Sequence, residues 1–237
     1  MSPPDPADSC GPMTPTSPSR ADLPDPAPAP PDTAALHWYL RLVRRHLGRG
    51  PYLDVAGAGG LLLAGLARLG PASGLAGSDA EADAMRSGAP GCPVHRRLDD
   101  LPGAVAALTA VEVLDRLPDD ALAGDTGPGG WFRVLEPGGH ALVVAADAEG
   151  RGRELAGARW VPPRHPRGHV RIREILTDTG FDVVREGADG LTRPPYGGVP
   201  ALLDPRLTAT RAQRSSGRLS MAVGSGERAV FVLRKPG

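Results

Sequence analysis

The chain has 237 residues, 41% apolar but only 4% aromatic, and its 27 basic and 27 acidic residues balance. That suits one domain of ordinary size with appendages, and it argues against nucleic acid as the main partner, because such binders concentrate positive charge. Two cysteines, Cys10 and Cys92, are too few for a disulfide framework or a cysteine metal site.

The balance hides an asymmetry. Residues 1–32 carry five aspartates against Arg20 and are crowded with proline. Such a segment cannot bury enough apolar surface to offset its ordering entropy, so it is expected to be a disordered tail. The opening MSPPDPADS has neither a basic nor an apolar leader segment. No apolar run approaches the roughly 18–20 residues of a membrane span. A cytoplasmic protein without a membrane span is therefore expected, its domain covering residues 33–237.

Order is predicted to begin at Asp32 or Thr33, either of which can cap a helix. Leu36, Tyr39, Leu40, Val43 and Leu47 then recur at helical spacing, and Gly48, Gly50 and Pro51 stop the run. Tyr52–Val55 reads as a strand and residues 60–69 as a helix ended by Gly70-Pro71. A second strand is expected at Leu75–Ser78, a helix at Asp79–Arg86 and a weak strand at Pro93–Arg96. Val105–Val111 is an apolar run fit for a central strand. Helices are expected near Asp119–Ala123 and Trp131–Leu135. "EPGG", 136–139, reads as a tight turn before a strand at His140–Ala145. A helix at Arg171–Asp178 and strands at Phe181–Arg185 and Ala229–Arg234 complete the pattern. Alternating strands and helices predict a parallel, doubly wound α/β sheet. Residues 187–227 lie between the last two strands and are rich in Gly, Pro and Arg. A segment of that length suggests a substrate lid, with helix 34–47 completing the cover.

The stretch "DVAGAGG", 54–60, places glycines where the first strand meets its helix. A helix start offers unpaired N–H groups, and glycine lets a ligand approach the backbone. A dinucleotide fingerprint beginning at Gly57 requires Gly or Ala at 62, where Leu62 stands; a P-loop requires a lysine that is absent. Both phosphate-binding readings fail. Asp79 follows the last glycine by 19 residues, a position suited to a carboxylate that accepts from ribose hydroxyls. A ligand with a ribose and no phosphate fits best.

Several stretches, in order, resemble the class I S-adenosylmethionine-dependent methyltransferases, type 11-like. "LDVAGAGG" resembles their first motif and "GSDAEADAM" their second. "LDDLP" is similar to the segment before strand four, and "VEVLDRLPDD" to the pattern V-L-E-H-L-P-D. "FRVLEPGGHALVV" resembles the entry to strand five, "ILTDTGFDVVREG" the next helix–strand unit, and "GERAVFVLRKP" the final strand. The resemblance implies a Rossmann-like sheet of seven strands in the order 3214576, the last antiparallel, with S-adenosyl-L-methionine as cofactor. It implies that Ala56, Gly57, Ala58 and Gly59 line the methionine end, with Asp54 orienting that loop or binding the ammonium. Asp79 and Ala80 would hold the ribose, and Leu98, Asp99 and Asp100 would neighbour the adenine. Val111, Glu112 and Val113 would flank the sulfonium. Three positions depart from the pattern: Ala58 stands for a glycine, Arg97 for an adenine-side acid and Arg116 for the histidine of V-L-E-H-L.

Methyl transfer is an in-line displacement that depends mainly on alignment and exclusion of water. A small-molecule acceptor is expected, oxygen first, with nitrogen or carbon as alternatives. Among possible bases, His169 of "RHPRGHV" is the candidate. Its spacing from His165 would also allow a metal pair, against which Pro166 and Gly168 argue. Asp115 and Glu112 could act catalytically or merely cap a helix, and Trp160 and Tyr196 could line a cleft. Arg193 and the arginines after it could attract an anionic acceptor. Two rival functions are an accessory or binding protein with this fold but no methyl transfer, and a nicotinamide oxidoreductase.

Overall fold

The computed structural model describes residues 33–156, 162–192, 200 and 203–237. The expected tail lies outside them, as do Trp160, Arg193 and Tyr196. In chain order the elements are α1 (Thr33–His46), β1 (Tyr52–Val55), α2 (Leu61–Ala67), β2 (Ala72–Leu75), α3 (Asp79–Gly88), β3 (Val94–His95) and β4 (Val105–Val111). They continue with α4 (Pro128–Val134), β5 (Leu135–Ala146), α5 (Arg151–Ala156), α6 (His169–Asp178), β6 (Asp182–Ala188), α7 (Arg206–Ser216) and β7 (Arg228–Arg234). The strands form one seven-stranded sheet in the order β3-β2-β1-β4-β5-β7-β6. β7 runs antiparallel to both its neighbours, and the other pairings are parallel. This is the expected Rossmann-like topology.

Alternation along the central strands feeds two cores. Leu53, Leu108, Ala110, Val143 and Phe231 point to one face, where Trp131 of α4 and Ile172 and Leu176 of α6 cover them. Tyr52, Ala107, Val111, Leu142, Val144, Val230 and Val232 point to the other, beneath α2 and the apolar stripe of α1 that includes Trp38, Tyr39 and Leu42. Asp54 and Thr109 are register partners in β1 and β4, so these two polar side chains lie side by side inside the sheet layer.

Four local expectations need correction. β2 begins at Ala72 rather than Leu75, because the Tyr52 N–H donates to the Pro71 carbonyl and sets the pairing directly after the proline. Residues 119–121 form only a 3-10 turn. The EPGG segment does not precede the strand but lies within it: β5 already pairs at Leu135 with Val105, and resumes at His140 with Ala107. The intervening residues form an irregularity, with Gly138 at φ 78°, a conformation that favours glycine. Lastly, the segment 187–227 is not a bare loop. It holds α7, whose last carbonyls accept from α1: Arg41 donates to the carbonyls of Arg214 and Ser215, and Arg45 to that of Gly217. Cations at a helix C-terminus also complement its dipole. Trp38 Nε1 donates to the Arg218 carbonyl just beyond, so α7 is fastened to α1 along its final turn.

Candidate functional site

In an open α/β sheet, the order reverses where neighbouring strands send their connections to opposite sides, and a crevice opens there at the carboxyl ends. Here that point lies between β1 and β4. After Val55 the chain enters a left-handed turn at Ala56, φ 46°. Gly59 and Gly60 follow at φ 64° and 77° before α2 begins. A Cβ on Gly59 would meet open space, whereas one on Gly60 would stand 2.5 Å from the Met85 carbonyl. Gly59 therefore faces outward, and Gly60 allows α3 to seat against the loop. Gly88 completes that seat, since a Cβ there would lie 1.7 Å from the Gly59 carbonyl.

Across the crevice, β4 ends at Val111 and Glu112 takes φ 56°. Ala56 and Glu112 are the non-glycine residues with positive φ among the described residues. Each such residue costs about 1–3 kcal/mol, and such residues persist where surrounding structure imposes them, commonly at functional sites. One side chain joins the two. Arg116 donates through Nε to the Glu112 carbonyl, 2.8 Å, and through Nη2 to the Ala56 carbonyl, 3.0 Å. Its Nη1 pairs with Glu81 Oε1 at 2.5 Å. Glu81 Oε2 in turn accepts from the Gly77 N–H at 2.8 Å. The guanidinium thus spans the crevice from β4 to the glycine loop and α3.

Asp54 lies under the loop. It is wholly buried. Oδ1 accepts from Thr109 Oγ1 at 2.7 Å, and Oδ2 has no hydrogen-bond partner. Burial pushes its carboxyl up to about 7, opposed by the Thr109 hydroxyl and the Leu63 N–H. A Cβ on Gly57 would sit 2.1 Å from Oδ2. The carboxyl therefore packs against the underside of the loop.

Asp79 does not face the crevice. Its side chain is 97% exposed and pairs with Arg96. The cause is local. Ser78 caps α3, its hydroxyl accepting from the Glu81 N–H at 3.2 Å, so the helix already begins at Asp79 and turns that carboxylate outward. Glu81, two residues on, is the acid that reaches inward. The pattern S-x-x-E at 78–81 is a capping-box signature, and it was the available signal for Glu81. Ala80 is likewise exposed. On the adenine side, Leu98 is buried and its N–H donates to Asp125 Oδ2 at 3.1 Å. Asp99 and Asp100 are exposed, Asp99 pairing with Arg97.

His169 is a second correction. It opens α6 and is 5% exposed. Its ring centroid lies 4.5 Å from that of Phe231, and Nε2 lies 3.1 Å from Glu186 Oε2. The ring is thus held between α6, β6 and β7, in the core of the sheet's edge rather than at the β1/β4 crevice. The described residues contain no group of three or more His, Cys, Asp or Glu able to hold a metal ion.

Sequence reasoning missed a buried charge cluster beside the crevice. Arg228, the first residue of β7, donates to Glu112 Oε1 at 2.6 Å and to Asp189 Oδ2 at 2.9 Å. Asp189 is fully buried. Its carboxyl is raised by that burial, against the pull of Arg228. Tyr39 of α1 is buried beside the same charges, and its burial, with Asp189 and Glu112 and against the pull of Arg228, holds its phenol above the usual range. Glu112 and Arg228 are 116 positions apart, so no local pattern could announce the pair.

No protein-family model and no curated protein matches the chain. Solved structures do. The [4+2]-cyclase SpnF is 18% identical, with 90% of this chain and 84% of SpnF covered, at TM-score 0.53. The CcbJ methyltransferase from Streptomyces caelestis is 14% identical over 92% and 94%, at TM-score 0.56. The N-methyltransferase NodS from Bradyrhizobium japonicum is 16% identical over 85% and 94%, at TM-score 0.51. The chain has the Rossmann-like fold of class I methyltransferases. No helix among the described residues is long and apolar enough to cross a membrane.

Proposed function

We propose that the β1/β4 crevice binds S-adenosyl-L-methionine and that the chain transfers its methyl group to a small-molecule acceptor. The supporting observation is the pair of left-handed residues, Ala56 and Glu112, held at the ends of β1 and β4 with the exposed Gly59 beside them. The crevice fits such a ligand on one condition, that Arg116 leaves Glu81. A side chain one-third exposed can do so by rotation. Glu81 would then serve the ribose in place of Asp79, and Arg116 would face the carboxylate of the amino-acid end. When bound, the cofactor supplies an electrophilic methyl on a sulfonium. The chain's own part is to position and to exclude water. Backbone from Ala56 to Gly60 lines one wall and Val111–Val113 the other, and α1 with α7 forms the cover.

A second reading is a protein with this fold that binds a ligand without transferring a methyl group. The Arg116–Glu81 pair across the crevice and the outward Asp79 favour it. Similarity to a [4+2]-cyclase also fits a fold that is not restricted to one chemistry. Calorimetry with S-adenosylhomocysteine separates the two. Micromolar binding by the wild type, weakened about tenfold by Arg116→Ala through loss of a charge-assisted contact, is expected of the methyltransferase. No heat at millimolar ligand, in either protein, would leave only the second reading.

A further inference from the structure

The methyl-transfer reading leaves one carboxylate oxygen beside the end of β4, Oδ1 of Asp115, without a hydrogen-bond partner. Asp115 lies in the 3-10 turn Leu114–Arg116 that follows β4. The residue as a whole is half-buried, but its Oδ1 is sealed from solvent and makes no hydrogen bond. The turn is pinned on both sides. Arg167 donates to the carbonyls of Leu114 and Leu117, and the His165 N–H donates to the Asp115 carbonyl. These bonds fix the backbone that carries the Asp115 carboxyl.

The charged groups that act on this carboxyl are Glu112 and Arg116 on its own segment and Arg228 on β7. Both guanidiniums are engaged elsewhere: Arg228 with Glu112 and Asp189, Arg116 with Glu81 and two carbonyls. The Asp115 backbone N–H offsets part of the burial, but a sealed carboxylate oxygen left without a donor is costly, and a second carboxylate nearby increases that cost. Burial and Glu112 together push the Asp115 carboxyl up to about 6. What would relieve both terms is a cation that also donates hydrogen bonds. A hydroxyl would supply one donor and leave the repulsion in place.

We propose that Asp115 receives the ammonium group of an amine acceptor and takes its proton before methyl transfer. The proposal rests on the methyl-transfer reading and selects nitrogen over the oxygen expected from sequence. One N–H proton passes to the Asp115 carboxylate. The nitrogen lone pair then forms the N–CH3 bond as the S–CH3 bond breaks, and that bonding pair stays on sulfur, which becomes a neutral thioether. The product is the methylated ammonium, and Asp115 returns its proton to solvent on product release. Desolvation of the amine lowers its pKa and brings the proton transfer within reach of a carboxylate.

The test uses the full chain and a set of small primary amines, each matched to its isosteric alcohol, with binding followed by ligand-observed NMR with and without S-adenosylhomocysteine. Amines are expected to bind at least tenfold more tightly than their alcohols. Asp115→Asn should remove that preference while leaving S-adenosylhomocysteine affinity unchanged. In the wild type, amine binding should weaken as pH falls through about 6, as Asp115 is protonated; this readout does not depend on the variant folding. Equal binding of amines and alcohols, no amine binding, or an undiminished preference in Asp115→Asn overturns the proposal. If S-adenosylhomocysteine still binds in those cases, the amine assignment alone has failed. If it does not bind, the cofactor reading has failed too.

Discussion

Replacing Asp54 with asparagine should stabilise the protein, and increasingly so as pH rises. Asp54 is fully buried, with one oxygen on Thr109 and the other unpaired. Its carboxyl rises from the ordinary 3.8 to about 7 on folding. Because the folded state holds this proton more tightly than the unfolded chain, stability is greatest at low pH and falls as pH climbs between those two values. At about 1.4 kcal/mol per pH unit, the full loss is about 4 kcal/mol, as an order of magnitude. Asparagine keeps an acceptor for Thr109 and carries no charge. Urea denaturation of both proteins, from about pH 5 to about pH 8.5, covers the steep part of the curve. Over that range the advantage of Asp54→Asn should grow by roughly 2–3 kcal/mol. Taking the difference between the two proteins removes Asp115, whose raised carboxyl acts in the same direction. A difference that stays constant with pH would mean that Asp54 is not held protonated by burial, and the account of the loop's underside would be wrong.

Gly88→Ala should be severe, because the new Cβ would meet the Gly59 carbonyl at 1.7 Å, a backbone atom that can yield only if the loop moves. We expect a loss of about 2–4 kcal/mol in urea unfolding, together with weakened S-adenosylhomocysteine binding by calorimetry. His169→Gln should cost about 1–2 kcal/mol, through the lost ring contact with Phe231 and the pair with Glu186. The rate of methyl transfer should then change by less than about threefold, whereas a general base would cost about a hundredfold or more. A large fall in kcat with unchanged stability would restore His169 to the reaction.

The sheet was legible in the sequence because its information is local and periodic. Val105–Val111 and Ala229–Arg234 are short, nearly continuous apolar runs, as strands buried on both faces require, and the glycines at 57–60 mark the sharp turn between β1 and α2. The ordered series of motifs supplied the strand order. Two expected site residues were misplaced for reasons that periodicity does not carry. A cap at Ser78 starts α3 at Asp79 and sends that carboxylate outward while Glu81 turns in, and the packing of α6 on β7 takes His169 into the core. Only the tertiary structure could bring Glu112, Arg228, Asp189 and Tyr39 together or leave Asp115 Oδ1 without a donor. Pairings of that kind are set by which strands become neighbours and where each helix begins. A shift of one or two residues in a helix start reverses which side chain faces the crevice, and residues a hundred positions apart share no local signal at all.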